Sequence, residues 1–433
     1  EQWLVLSTHS DALSRKMYFL NLLFIFSPIK CVVTSISTSM GTEFLVAVPM
    51  LMDDENTHNS GITFVMTTSA RKPVTVMITC PGFKGEPKLN EAVSLLRLMP
   101  VEYQIPSKYR SEVEVGPKWS YKLMSDTIFA LYVLLMASSK SVDTFLALPT
   151  VAWRKQYLAI TVSVTPSLQI ISAKEDNTVR VLLQFLGVST SILYEGRRYG
   201  NNDTLQFKLQ VGEAFAVSKC RNHQYVSLSG SLITGSKEIG VISGNCKAQL
   251  TTHVCNNKHE IAHPKSKDIV AEMMPSSKTS GFTFILIDMP KRWVNGSYYI
   301  VGASGTELTV THADKVKQIF IDDKRIIYLD TPTCCSHVKS NQPVQVAFVA
   351  RPACVRMGHD YQVVVEEPQG DGSLAMLVPN ELFYVIYAWR TPDTLDLYGS
   401  FAALVVKSEQ IPDLRLNDRK LYKGIFDWKQ VAG

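Results

Sequence analysis

An all-β protein made of tandem fused β-sandwich-like units, with few short helices, is the fold this sequence predicts. Three observations predict it. Apolar and polar residues alternate with period two along most of the chain. Gly, Pro, Asn and Asp interrupt the alternation about every 8–12 residues, the turn spacing of a sandwich. A small apolar strand ending in proline also recurs, as VAVP at Pro49, LALP at Pro149, EMMP at Pro275 and MLVP at Pro379. That spacing of roughly a hundred residues exceeds the ~20–50 of a solenoid or propeller unit and suits units that each bury a core.

The elements follow in chain order. Residues 1–16 show no structural period and are expected to be an upstream extension. Arg15 and Lys16 then precede Met17, a short apolar run over 18–26 and a small-residue region near Cys31. A basic start, a short apolar run and a small-residue end make residues 17–31 a signal peptide. The run falls short of the ~20 apolar residues that span a bilayer. The expectation is a secreted, extracellular chain starting near Val32, with no membrane span.

The first β unit is expected over 32–142. It opens with FLVAV (44–48) and continues through ITFVMT (62–67) and VTVMI (74–78), which read as a hairpin around Lys72-Pro73. Residues 81–124 look irregular, and 89–99 is the one stretch resembling a helix. The second unit, 143–262, opens with FLALP (145–149) and YLAITV (157–162). Strands at 169–173 and 178–181 then flank the polar turn 174–177. Strands at 205–209, 214–217 and 236–244 complete it. The third, 263–375, repeats the order at 282–287, 299–310 and 341–348. Residues 376–433 form a partial fourth unit and a tail around Trp428.

Composition excludes several classes. Hydrophobic residues are 46% and charged residues 19%, which is globular rather than disordered. The net charge of +5 is not gathered into a run, and Arg197-Arg198 and Lys291-Arg292 are isolated pairs. No nucleic-acid partner is expected.

Cysteines suit an oxidising compartment. Cys246 and Cys255 are spaced to bridge a short loop, and Cys334 or Cys335 is spaced to pair with Cys354. Cys80 and Cys220 lack a sequence-local partner and read as buried thiols. Asn202-Asp203-Thr204 and Asn295-Gly296-Ser297 are glycosylation acceptors in turn-like stretches.

The ordered series GTEFLVAVP (41–49), SDTIFALY (125–132), DTFLALPT (143–150), QIISAKEDNTVRV (169–181), LSGSLITGSKEIGVISGNCKA (228–248) and AEMMPSS (271–277) resembles the N-terminal domain of the IgGFc-binding protein family, over about 41–405. The resemblance implies a secreted binding and adhesion module associated with immunoglobulin Fc and mucus. The namesake's cysteine-dense von Willebrand type D repeats do not follow here.

One segment carries a catalytic pattern. His259-Glu260-Ile261-Ala262-His263 satisfies H-E-x-x-H, in which two imidazoles one helical turn apart hold zinc beside a glutamate base. His253 is a further ligand candidate. Pro264 directly after His263 opposes the required helix. Acidic pairs such as Asp53-Asp54, Glu175-Asp176 and Asp322-Asp323 read as turns. Trp153, Trp293 and Trp389 are the aromatics that would build a sugar platform. There is no nucleophile elbow, P-loop or dinucleotide fingerprint. The expected function is therefore a non-enzymatic binding or adhesion module, without catalytic residues, metal or cofactor. It would recognise an extracellular protein or glycan, mucin-like or immunoglobulin, through surface loops. A zinc hydrolase built on the HEIAH segment and a structural matrix or mucus component are the alternatives.

Overall fold

The computed structural model describes residues 39–382 except 53–59, 82–87, 139–140, 188, 222–223, 251–266, 288–294, 313–314, 331–334, 352, 360–362 and 370–371, together with strand segments between 402 and 432. All elements below belong to one unit, residues 37–433. Among the described residues strand dominates, the only helical elements are short 3₁₀ turns, and loops and turns connect the strands, as the period-two alternation requires.

The strands in order are β1 (Met40–Val46), β2 (Gly61–Thr67), β3 (Val74–Cys80), β4 (Leu89–Leu95), β5 (Val101–Gln104), β6 (Val115–Trp119), β7 (Tyr121–Ser138) and β8 (Ser141–Leu146). Then come β9 (Arg154–Leu158), β10 (Pro166–Ser172), β11 (Asn177–Leu182), β12 (Leu186–Gly187), β13 (Ile192–Tyr194), β14 (Arg197–Tyr199), β15 (Thr204–Leu209), β16 (Glu213–Ser218), β17 (Val226–Ser227), β18 (Leu232–Gln249) and β19 (Lys267–Met273). The next are β20 (Gly281–Ile287), β21 (Asn295–Val301), β22 (Glu307–His312), β23 (Lys315–Phe320), β24 (Ile326–Asp330), β25 (Cys335–Arg351), β26 (Ala353–His359), β27 (Val363–Gln369) and β28 (Ser373–Met376).

Three sheets share one topology. The orders are β4-β3-β7-β2-β5, β15-β11-β18-β10-β16 and β23-β22-β25-β21-β24. Each has two more strands on its central member: β1 and β8 on β7, β9 and β19 on β18, β20 and β28 on β25. The central strands are 18, 18 and 17 residues long, well beyond the usual ~5–6. Each breaks register near its middle, at 125–128, 235–238 and 340–343. Such a break lets one strand turn a corner and serve both layers of a sandwich. Its first half carries β3 and most of β1, whose first residues cross the corner, and its second half carries β2 and β8; the later repeats match strand for strand.

Several sequence expectations change. Residues 62–67 and 74–78 are not a hairpin, because β2 and β3 each pair with β7, on opposite sides of its corner. Residues 89–95 form the edge strand β4 on β3 and not a helix, so tertiary pairing overrides local propensity. The strands ending at Pro149 and Pro275 close the preceding sandwich instead of opening the next, since β8 pairs with β7 and β19 with β18, whereas the one ending at Pro49 does open the first, through β1 on β7. The strand expected over 157–162 ends at Leu158. Beyond it, side chains replace the ladder. The Ile160 amide donates to Ser243 Oγ, the Thr161 amide to Ser229 Oγ and the Val162 amide to Asn245 Oδ1. These bonds satisfy backbone that is buried without a partner strand.

The cores run across the repeat boundaries. The first contains Phe44, Phe64, Phe129 and Phe145, and also Ile171, Ala214, Ile242 and Met273 from the second sheet. The second contains Leu168, Val241 and Phe215, together with Tyr299, Val301, Ala347 and Val349 from the third. The β10 strand is therefore buried along its whole length.

Polar groups at the first boundary are matched. The buried Lys118 ammonium donates to the Val48 carbonyl at 2.6 Å and to Gln169 Oε1 at 2.9 Å. Loss of water pulls its pKa down to about 7. The Ala271 amide donates to Asp143 Oδ2, and Ser141 Oγ to Asp268 Oδ1. Burial, then the nearby Asp143 charge, pushes the Glu272 carboxyl up to about 8.

Candidate binding surface

Register places equivalent residues of the three repeats side by side. On the outer face of the β5-β2-β7-β8 layer, one row reads Glu102, Val65, Tyr132, Leu146. Its counterpart in the second repeat is Ala216, Gln169, Ile242, Met273. In the third it is Tyr328, Tyr299, Ala347, Met376. The central members Ile242 and Ala347 are 1% and 0% exposed, because each face is pressed on the repeat before it. Tyr132, in the same position, is 41% exposed. Val65, Leu134, Met136 and Leu146 around it are only half-buried. The first repeat thus keeps the apolar character of a docking face but displays it.

The neighbouring strand edge differs in the same sense. In the second repeat β6 pairs antiparallel with the outer edge of β16, opposite Ala214 and Ala216. The Ser120 amide extends the ladder to the Gly212 carbonyl. The equivalent strand in the first repeat is β5. The Ile105 amide donates inward to Ile62, so alternation turns the N–H and C=O of Glu102 and Gln104 outward. Among the described residues no strand pairs with that side of β5.

The opposite layer also sets the first repeat apart. Its outward row reads Ala92, Met77, Met124, Glu43, where the later repeats place Gln206, Arg180, Thr234, Gln156 and Gln318, Thr309, Lys339, Thr283. Leu96, Leu98, Met99 and Ile128 are exposed at the end of this face. Leu98 sits at φ 58°, an uncommon backbone state for a leucine, and its amide donates to the Thr68 carbonyl.

The residues singled out from sequence fall elsewhere. His253, Cys255, His259, Glu260 and His263 lie outside the described residues, as do Cys334, Trp293 and Trp389. Cys335 and Cys354 are placed in β25 and β26 by their backbone alone. Cys246 is bonded to Cys220, 26 residues away, and not to Cys255; Cys220 is no thiol. Both sulfurs meet under Met50 in a small buried cluster, a long-range approach that residue spacing does not encode. Asn202 is exposed at φ 64° in the turn before β15, in keeping with an accessible acceptor. Asn295 begins strand β21, and Ser297 of the same acceptor motif is 2% exposed, so that stretch is no turn. Trp153 is buried at 1% and packs over Gly240, which removes it as a sugar platform. Among the described residues no group of three or more His, Cys, Asp or Glu is placed to hold a metal. The open β5 edge escaped sequence reading because its meaning comes only from comparison with β16; the signal available was the apolar outward position Tyr132.

Stacked sandwiches with a displayed apolar face and an open edge define a scaffold for binding at its surface. The chain belongs to the family described as IgGFc binding protein, which its sequence matches over residues 143–433. That family is one of extracellular binding domains. No curated protein matches the chain. A solved structure from work on host cell surface retention of a 1.5-MDa bacterial ice-binding adhesin aligns over 73% of this chain and 90% of its own, at 9% identity and a TM-score of 0.11. That score is too low to mark a shared fold.

Proposed function

We propose that this protein is a secreted, non-enzymatic recognition or adhesion protein that holds an extracellular protein or glycan on the surface of its stacked sandwiches. Membership of the IgGFc binding protein family over residues 143–433 carries the reading. Two further features support it. The signal-like segment at 17–31 suits export, and the Cys220–Cys246 bond suits an oxidising compartment. A rigid β scaffold suits such a role, since it holds in place the surface loops that would make the contacts.

The test is direct binding of the oxidised chain to three immobilised probes: immunoglobulin G Fc, a purified mucin and a panel of mucin-type glycans. Saturable binding to at least one, competed by the same probe in solution, is the expected result. Saturable binding to none of them overturns the proposal.

A further inference from the structure

We propose that Asn202 carries an N-linked oligosaccharide, attached on the turn that leads into β15. The inference rests on the reading that the chain is secreted, because the transfer takes place in the export pathway.

The acceptor motif needs a carboxamide and, two residues on, a hydroxyl, both free to meet a transferase. Other groups hold the turn at 200–204 in shape. The Gly200 amide donates to Asp203 Oδ2 at 2.7 Å. The Phe185 amide and Gln184 Nε2 both donate to Asn201 Oδ1, at 2.7 and 3.2 Å. Backbone bonds close the rest: the Asn202 amide donates to the Leu183 carbonyl, the Leu183 amide to the Asp203 carbonyl and the Asp203 amide to the Gly200 carbonyl. Among the described residues the Asn202 carboxamide and the Thr204 hydroxyl bond to nothing. Asn202 itself sits at φ 64°, a left-handed state that asparagine tolerates.

The surroundings leave room for a bulky group. Residues 201–204 are all exposed. Thr204 opens β15, in which outward Thr204, Gln206 and Lys208 alternate with buried Leu205, Phe207 and Leu209. That strand ends its sheet, and among the described residues no strand pairs with its outer side. The second acceptor motif lacks these features. Ser297 lies in β21 between β24 and β25 and is 2% exposed.

The transfer joins Asn202 Nδ2 to the anomeric carbon of a lipid-linked oligosaccharide diphosphate. The bond from that carbon to the diphosphate oxygen breaks, and the lipid diphosphate leaves. The amide nitrogen gives up one proton to a base of the transferase.

The test expresses the full chain in animal secretory cells, once under its own N-terminal segment and once behind an unrelated cleavable leader. Protein from the medium and from the export compartments is treated with peptide N-glycosidase in heavy-oxygen water, which converts a glycosylated asparagine to labelled aspartate. Peptide mapping is expected to find the label at Asn202. Asn202→Gln and Thr204→Ala should each lose it, and Thr204→Ser should keep it. Both positions are exposed, so the deglycosylated variants should unfold at the parent's midpoint. An unlabelled Asn202, or label at Asn295 alone, overturns the site and leaves the proposed function standing. Label that persists in Thr204→Ala marks spontaneous deamidation and overturns it too. Label at Asn202 reached only behind the unrelated leader upholds the site and counts against the secreted reading.

Discussion

The first and second repeats share the pairings of their seven core strands, yet the same sheet position is a displayed surface in one and interior in the other. Ile242 is 1% exposed and Tyr132 is 41% exposed. The β16 edge carries β6, while the described strands leave the outer side of β5 open. Topology thus sets which residues share a face, and place in the stack sets whether that face is core or surface. The buried version needs small or well-matched residues: a Cβ at Gly240 would stand 2.5 Å from the Trp153 ring, and one at Gly244 would stand 1.9 Å from the Val270 carbonyl oxygen.

The largest expected effect probes the boundary between the two repeats. Glu272 has its carboxyl raised from 4.5 to about 8 by burial and then by Asp143. Between those pH values the folded chain holds a proton that the unfolded chain releases. Stability is therefore full below pH 4.5, falls as pH rises through the window and stays low above pH 8, by as much as about 5 kcal/mol. Chemical denaturation of Glu272→Gln across this range should be flatter than the parent's; an equal slope breaks the account of the boundary.

Inner positions should not depend on place in the stack. Phe145 in the first sandwich and Phe284 in the third are each 1% exposed. Phe145→Ala and Phe284→Ala should each cost about 3–5 kcal/mol in denaturant unfolding. Midpoints equal to the parent's would contradict both cores.

The Cys220–Cys246 bond closes a loop of 26 residues onto the second repeat. Cys220→Ala with Cys246→Ala should lower stability by about 2–4 kcal/mol. Peptide mapping without reduction should find these two linked; Cys246 linked to Cys255 would reject the pairing.

The sharpest comparison has the smallest effects. Ile242→Ala should cost about 2–3 kcal/mol, whereas Tyr132→Ala, at the equivalent exposed position, should cost less than about 0.5 kcal/mol. Equal costs would mean that the first repeat's face is covered after all.

Much of the fold was legible because alternation survives wherever one strand face is buried. The long central strands were not. Sequence reading placed segments beginning at 125, 236 and 341, all of which start within the three corners. Exposed residues such as Asp126, Ser236 and Asn341 interrupt the apolar pattern there, so each strand was read as its second half alone. The β6 strand was hidden for another reason. Gly116 and Pro117 argue against a strand, but an outermost strand accepts proline where no ladder bond is needed. The open β5 edge has no sequence signal of its own, since it is visible only once repeats are superposed by register.

The sixth core strand of each repeat has a consequence for how the protein is made. Met40 must find Ala130, Arg154 must find Ile239 and Gly281 must find Val344. During synthesis every earlier hairpin waits, half-sheltered, until that late-arriving ribbon threads both layers together. The two layers of each module are joined only once that strand, next to last in its chain order, has been made, and the apolar faces of the earlier strands lack their cover until then.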